Sequence, residues 1–224
     1  MANPAANDDG PRFRSWLALR DAGIERQQYD YSCGVAALAT LLTQYHRHPV
    51  DEAALLAALA ASADDDPRRG GVSLAQLAAL AAQRGFPSAA VAVPWSAYRA
   101  LKMPAIVYLR FRGLAHFSVL RGVDAQGRAL LADPAWGNYP LSAAEFRRLF
   151  LGADGMGRML VVGHPEADSG AGARPAYFRS QFPRALQTPA GLLRPGVAPA
   201  MLPAPTAAQS PYPGVLAPRA PVPR

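Results

Sequence analysis

The chain has 224 residues, half of them hydrophobic, which is enough for one domain with a substantial core. No apolar run approaches the roughly 20 residues that cross a bilayer, and a single cysteine excludes any internal disulfide. The net charge of +7 comes almost wholly from Arg174, Arg179, Arg184, Arg194, Arg219 and Arg224, which follow the last acidic residue, Asp168. Charge so thinly spread makes no basic stripe on a folded element, and no nucleic-acid partner is expected.

The chain opens with a small, polar stretch, residues 1–12, read as a flexible N-terminus. It lacks the apolar core of a secretory signal. That implies a cytoplasmic protein, or a periplasmic or membrane-associated one if a signal has been removed. Gly34 to Tyr45 is a strong helix former, apolar almost all round, and is expected to be buried. Asp51 opens a second helix through about Ala61, because a carboxylate there satisfies free N–H groups and suits the helix dipole. Ser73 followed by Gln76 forms a capping-box pattern and starts a third helix that stops near Gly85. The pair Gly70-Gly71 reads as the turn into that helix. A short strand at Ala89 to Val93 and one or two helical turns at Trp95 to Leu101 follow.

After Pro104 the pattern becomes β. Ala105 to Phe111, His116 to Val123 and Ala129 to Ala132 are short apolar or alternating runs, punctuated by Gly113, Gly122 and Gly127. Gly137-Asn138 reads as a further turn. Ser142 and Glu145 repeat the capping box for a helix to about Phe150, and Met159 to Val162 returns as a last strand. Helices first and antiparallel strands second make an α+β fold, a helical N-terminal lobe packed on an antiparallel β-sheet lobe. Residues 13–165 are the domain. Residues 166–224, rich in proline, alanine and arginine, read as a disordered tail, because such a composition buries too little apolar surface to offset ordering entropy.

Within the domain, Cys33 stands at the start of the buried helix, where unpaired N–H groups and the helix dipole favour the nucleophilic thiolate. Gly34 beside it is read as space for a substrate backbone. His46 and His48 sit in a polar loop and His164 borders the tail. His116, at the start of a strand after the turn Gly113-Leu114-Ala115, is the histidine inside a core-forming segment. Asp133 ends a strand, placed to accept a hydrogen bond from an imidazole on the neighbouring strand and to fix its tautomer. Gln27, with Gln28 as a near-equal competitor, lies a short loop before Cys33. Its side-chain amide and the Cys33 backbone N–H make two donors for an oxyanion. Tyr29, Tyr31, Phe117 and Trp136 are candidate walls of a cleft. No Cys/His cluster has zinc-site spacing, and no metal or other cofactor is expected.

Each of these residues has an ordinary structural reading, but the order Gln, Cys, His, Asp is that of a thiol hydrolase. The strings RQQYDYSCGVAALATLL, HFSVLRGV and LADPAWGNYPLSAAEF resemble the bacteriocin-processing, double-glycine leader peptidase family. Its members form the N-terminal domain of peptide-exporting ABC transporters or stand alone in bacteria. The resemblance implies a papain-like fold and cleavage after Gly-Gly in a leader peptide. It also implies a Cys-His-Asp mechanism on Cys33, His116 and Asp133, with Gln27 rather than Gln28 at the oxyanion. One departure is Ser32, where transporter-linked members often carry an acid. Without a Gly-Lys-Ser/Thr phosphate loop or a membrane span, the chain resembles a stand-alone member. The implied partners are a peptide or protein substrate and a membrane export system. The competing functions are a leader-binding module of the same fold without catalysis, and a thiol-dependent amidase or acyltransferase.

Overall fold

The structure is a computed structural model that describes residues 15–62, 68, 71–111 and 113–165. The readings of residues 1–12 and 166–224 lie outside these. Trp16–Arg20 is α1, Cys33–Gln44 α2, Glu52–Ser62 α3, Leu74–Gln83 α4, Ala97–Ala100 α5 and Ala143–Phe150 α6. The strands are Ser88–Pro94 (β1), Ala105–Phe111 (β2), Leu114–Val123 (β3), Ala129–Asp133 (β4), Gly137–Leu141 (β5) and Met156–Val162 (β6). All six form one antiparallel sheet in the order β1-β6-β2-β3-β4-β5. The α+β expectation holds.

The caps behave as the sequence implies. Asp51 Oδ1 accepts the Ala54 N–H at 2.7 Å and so begins α3. Ser73 with Gln76, and Ser142 with Glu145, form complete capping boxes at α4 and α6. Gly71 takes φ +77° in the approach to Ser73, a conformation glycine adopts without strain; Gly70 lies outside the described residues.

Two readings are corrected. Gly137-Asn138 is not a turn but the start of β5, paired along its length with β4. Pro140 is tolerated because β5 is the sheet edge, where a missing N–H breaks no ladder bond. β3 also begins two residues before His116, so His116 lies inside a paired strand, opposite Leu109.

The sheet is covered on both sides, which is why β2 is a nearly unbroken apolar run. Ile106, Phe117, Val119, Ala132, Leu160 and Val162 pack with α2, α3 and α4. Ala105, Val107, Leu109, Leu120, Leu131 and Met159 pack with Tyr98 of α5 and Phe146 and Phe150 of α6. α2 is buried from Cys33 through Leu42. It approaches β3 most closely at Gly34: a Cβ there lies 2.9 Å from the Phe117 ring and 3.1 Å from Leu77 Cδ1. The space at Gly34 is therefore filled by the protein's own core, correcting its reading as room for substrate. The contact seats the start of α2, and with it Cys33, beside the start of β3, which carries His116.

Candidate active site

Three of the predicted residues meet. β3 and β4 pair with Val119 opposite Ala132, so Asp133, one residue on, falls on the same side of the sheet as His116. His116 Nε2 donates to Asp133 Oδ2 at 2.8 Å. Cys33 also acts on the ring and favours its protonated form, and Nδ1 is the nitrogen that Asp133 leaves for it. Cys33 is buried at N1 of α2, where its own N–H has no carbonyl one turn back to bond.

Asp133 is fully buried, and its two oxygens divide their work. Oδ1 accepts the backbone N–H groups of Ala135 at 2.9 Å and Trp136 at 3.0 Å, the ordinary turn role of an aspartate before proline. Oδ2 accepts from His116 and, at 3.5 Å, from the Tyr139 hydroxyl. Burial first, and the Asp133 charge second, push the Tyr139 hydroxyl well above its usual range, so it stays a donor. Asp133 thus closes the turn with one oxygen and hydrogen-bonds His116 with the other.

The environment of His116 sets its charge. Its side chain is 12% exposed, flanked by Trp136 with ring centroids 4.8 Å apart and by Phe111 at 5.8 Å. Burial alone lowers an imidazole, but the Asp133 carboxylate, its hydrogen bond and Cys33 outweigh it. The result is pushed up to about 10. At neutral pH His116 holds its proton.

Gln27 sits on the loop that leads into α2. Its backbone N–H donates to Pro134 O at 3.2 Å, which ties this loop to the one after Asp133, and Arg26 reinforces the tie through Ala135 O at 2.5 Å. Its Nε2 donates to Tyr29 O at 3.0 Å, and its Oε1 is buried without a partner among the described residues. Gln28, the competitor, is exposed and fixed only through its backbone. Of the candidate cleft walls, Trp136 packs on His116, and Tyr29 and Tyr31 stack on each other 5.3 Å apart. Phe117 is core, filling the space at Gly34, and is no wall.

Sequence reasoning missed two buried polar residues. Glu52 is fully buried rather than solvated at a helix start. His46 is buried too, correcting its placement in a polar loop. Its ring packs between Tyr45 and Phe86 near His164, and both ring nitrogens lack a hydrogen-bond partner among the described residues. Phe86 and His164 come from distant segments, so no local signal marks His46 as interior. Among the described residues no group of three or more His, Cys, Asp or Glu side chains is arranged to hold a metal ion.

Residues 21–153 match the peptidase C39 family, more than half of the chain, with Gln27, Cys33, His116 and Asp133 inside the match. The chain belongs to the peptidase C39 family. The fold is the papain-like one expected. The chain is 30% identical over 149 residues to a Pseudomonas aeruginosa protein named "Probable functional amyloid protease FapD", covering 65% of this chain and 66% of that protein. It thus spans just under two thirds of that relative's length. Two solved structures share the fold. One is a double glycine motif protease from an AMS/PCAT transporter in complex with its leader peptide (TM-score 0.51, 23% identity, 62% of this chain and 89% of that one). The other is the peptidase domain of Streptococcus ComA, a bi-functional ABC transporter involved in quorum sensing (TM-score 0.52, 18% identity, 63% and 98%). Among the described residues of this C39 peptidase no helix is long and apolar enough to cross a membrane.

Proposed function

We propose that this C39 peptidase is an endopeptidase that cuts after a Gly-Gly pair in the leader of an exported peptide or protein, using Cys33, His116 and Asp133. The observation that carries the reading is His116 held between Asp133 Oδ2 at 2.8 Å and Cys33. His116 carries its proton beside Cys33, and the form of Cys33 that attacks is the thiolate. The thiolate attacks the scissile carbonyl and forms a C–S bond. The Gln27 side-chain amide and the Cys33 N–H receive the negative oxygen. As the C–N bond breaks, His116 gives its Nδ1 proton to the leaving amine, and Asp133 holds the ring aimed. Water then attacks the thioester, His116 takes its proton, and the thiolate and a free carboxylate are released.

Membership of the family supports the Gly-Gly preference and the leader substrate, and Trp136 packed on His116 supplies one wall of the site. An export system is the implied partner. The test is incubation with Gly-Gly leader peptides encoded in the same genome, with products read by mass spectrometry. Exported amyloid-forming proteins are tried first because of the relative's name. Cleavage after the second glycine, absent with Cys33→Ala, supports the reading. Peptides bound intact by both proteins would show a leader-binding module instead.

A further inference from the structure

Glu52 is the first residue of α3, a place where an acid is ordinary. Yet the cap of α3 is already made by Asp51, and the Glu52 carboxylate turns away from its own helix. Both of its oxygens accept the Gln28 backbone N–H, at 3.2 and 3.0 Å, and the buried Ser32 is near enough to favour its charged form. Gln28 and Ser32 bracket the loop between Gln27 and Cys33. Glu52 is fully buried. Burial pushes its carboxyl up, Ser32 and the Gln28 bond pull it down, and the charge acting on it, that of Glu25, is of the same sign. A buried carboxylate facing a like charge is costly unless its hydrogen bonds hold something in place.

What they hold is the loop that aims Gln27. With Gln27 Oε1 unpartnered among the described residues, the orientation of the amide rests on its Nε2 bond to Tyr29 O. Tyr29 in turn is fixed by Ser32, whose Oγ donates to Tyr29 O at 2.8 Å and accepts the Tyr29 N–H at 3.2 Å. Gln28, the residue before Tyr29, ends on Glu52, and Ser32 lies beside that carboxylate. Within the loop the Ser32 backbone N–H also donates to Tyr29 O at 3.2 Å, and outside it Glu25 is anchored on Thr40 and the Gln27 backbone on Pro134.

We propose that Glu52 is the positioning residue of the oxyanion site: it holds residues 28–32 so that the Gln27 amide and the Cys33 N–H converge on one point. This rests on the reading of Gln27 as an oxyanion donor, and the test separates the two. Wild type, Gln27→Ala, Glu52→Gln and the double variant are compared on a fluorogenic peptide amide ending in Gly-Gly. Iodoacetamide alkylation of Cys33, which needs no oxyanion site, is measured alongside. Gln27→Ala is expected to lower kcat about 10²- to 10³-fold; unchanged kcat there defeats the Gln27 reading. Glu52→Gln is expected to lower kcat about tenfold to a hundredfold with KM and alkylation rate nearly unchanged. The double variant should be no slower than Gln27→Ala alone. Independently of turnover, the Gln27 side-chain amide resonances should move in Glu52→Gln while those of Gln83, on α4, stay. Ser32→Ala, a smaller change to the same loop, should show the same pattern if Glu52→Gln folds poorly. Losses that multiply, a fall in alkylation equal to that in kcat, or unmoved Gln27 resonances overturn the proposal.

Discussion

His116 and His46 are the same side chain in similarly dry surroundings, and they are driven in opposite directions. His46, packed among Tyr45, Phe86 and His164, is pushed down to about 4 by burial and then by the charge of His164. His116 feels burial as its largest single influence too, yet Asp133 and Cys33 carry it up to about 10. The difference is one carboxylate at 2.8 Å and one thiol. Burial alone makes a histidine a neutral ring that packs like an aromatic. Burial with a fixed anion makes it a stored proton, which is what a thiol nucleophile needs beside it.

The two also pull stability in different pH ranges. The raised His116 contributes stability that is complete below its ordinary 6.5 and is lost as pH rises through about 10. The lowered His46 does the reverse: the unfolded chain takes up the proton first, so stability falls as pH drops from 6.5 toward about 4.

Removing the carboxylate should break the comparison most severely. Asp133→Ala is expected to lower kcat/KM about 10³- to 10⁴-fold and to send His116 from about 10 back toward 6.5 or below, followed by NMR titration of the ring. Asp133→Asn is the sharper variant. Asn has one oxygen where Asp133 uses two. If that oxygen keeps the turn bonds to Ala135 and Trp136, the NH2 faces His116 Nε2 and imposes the wrong tautomer. Asn should therefore leave the thermal midpoint near wild type while turnover falls almost as far as in Ala. Asn at near-wild-type activity would remove Asp133 from the site.

Separating the thiol from His116 should act next. Gly34→Ala sets a Cβ 2.9 Å from the Phe117 ring. Relief of that contact moves α2 off β3, so a loss of about 1–3 kcal/mol in stability should come with a fall in kcat/KM at pH 7. The smallest effect is expected at His46→Phe. It keeps the ring packing, leaves turnover unchanged, and flattens the loss of thermal midpoint between pH 6.5 and 4. An acid slope identical to wild type would contradict the account of His46.

The chain's local grammar was legible: both capping boxes, the bounds of β2 and the helix behind Cys33 follow from spacing and polarity alone. Cys33 and Asp133 stood out because they lie at the ends of α2 and β4, and His116 because it is the histidine inside a core-forming segment. What escaped depends on partners far away in sequence. β5 was hidden because Gly137-Asn138 reads locally as a turn, and its pairing with β4 is what makes it a strand. Gly34 looked open until Phe117 was seen to fill it, and His46 looked solvated until Phe86 and His164 closed over it. Glu52 looked like an ordinary helix-start acid, and nothing near it in sequence shows that it reaches back to Gln28.

The central claim is that Cys33 and His116 act as one unit. It is tested most directly by the rate of Cys33 alkylation with iodoacetamide in the folded protein at pH 7, in wild type and in His116→Ala. The account predicts rapid labelling of the native wild type, slowed at least about tenfold when His116 is removed, since the thiolate is the form that reacts. Labelling that requires denaturation, or that runs at the same rate in both proteins, would contradict it.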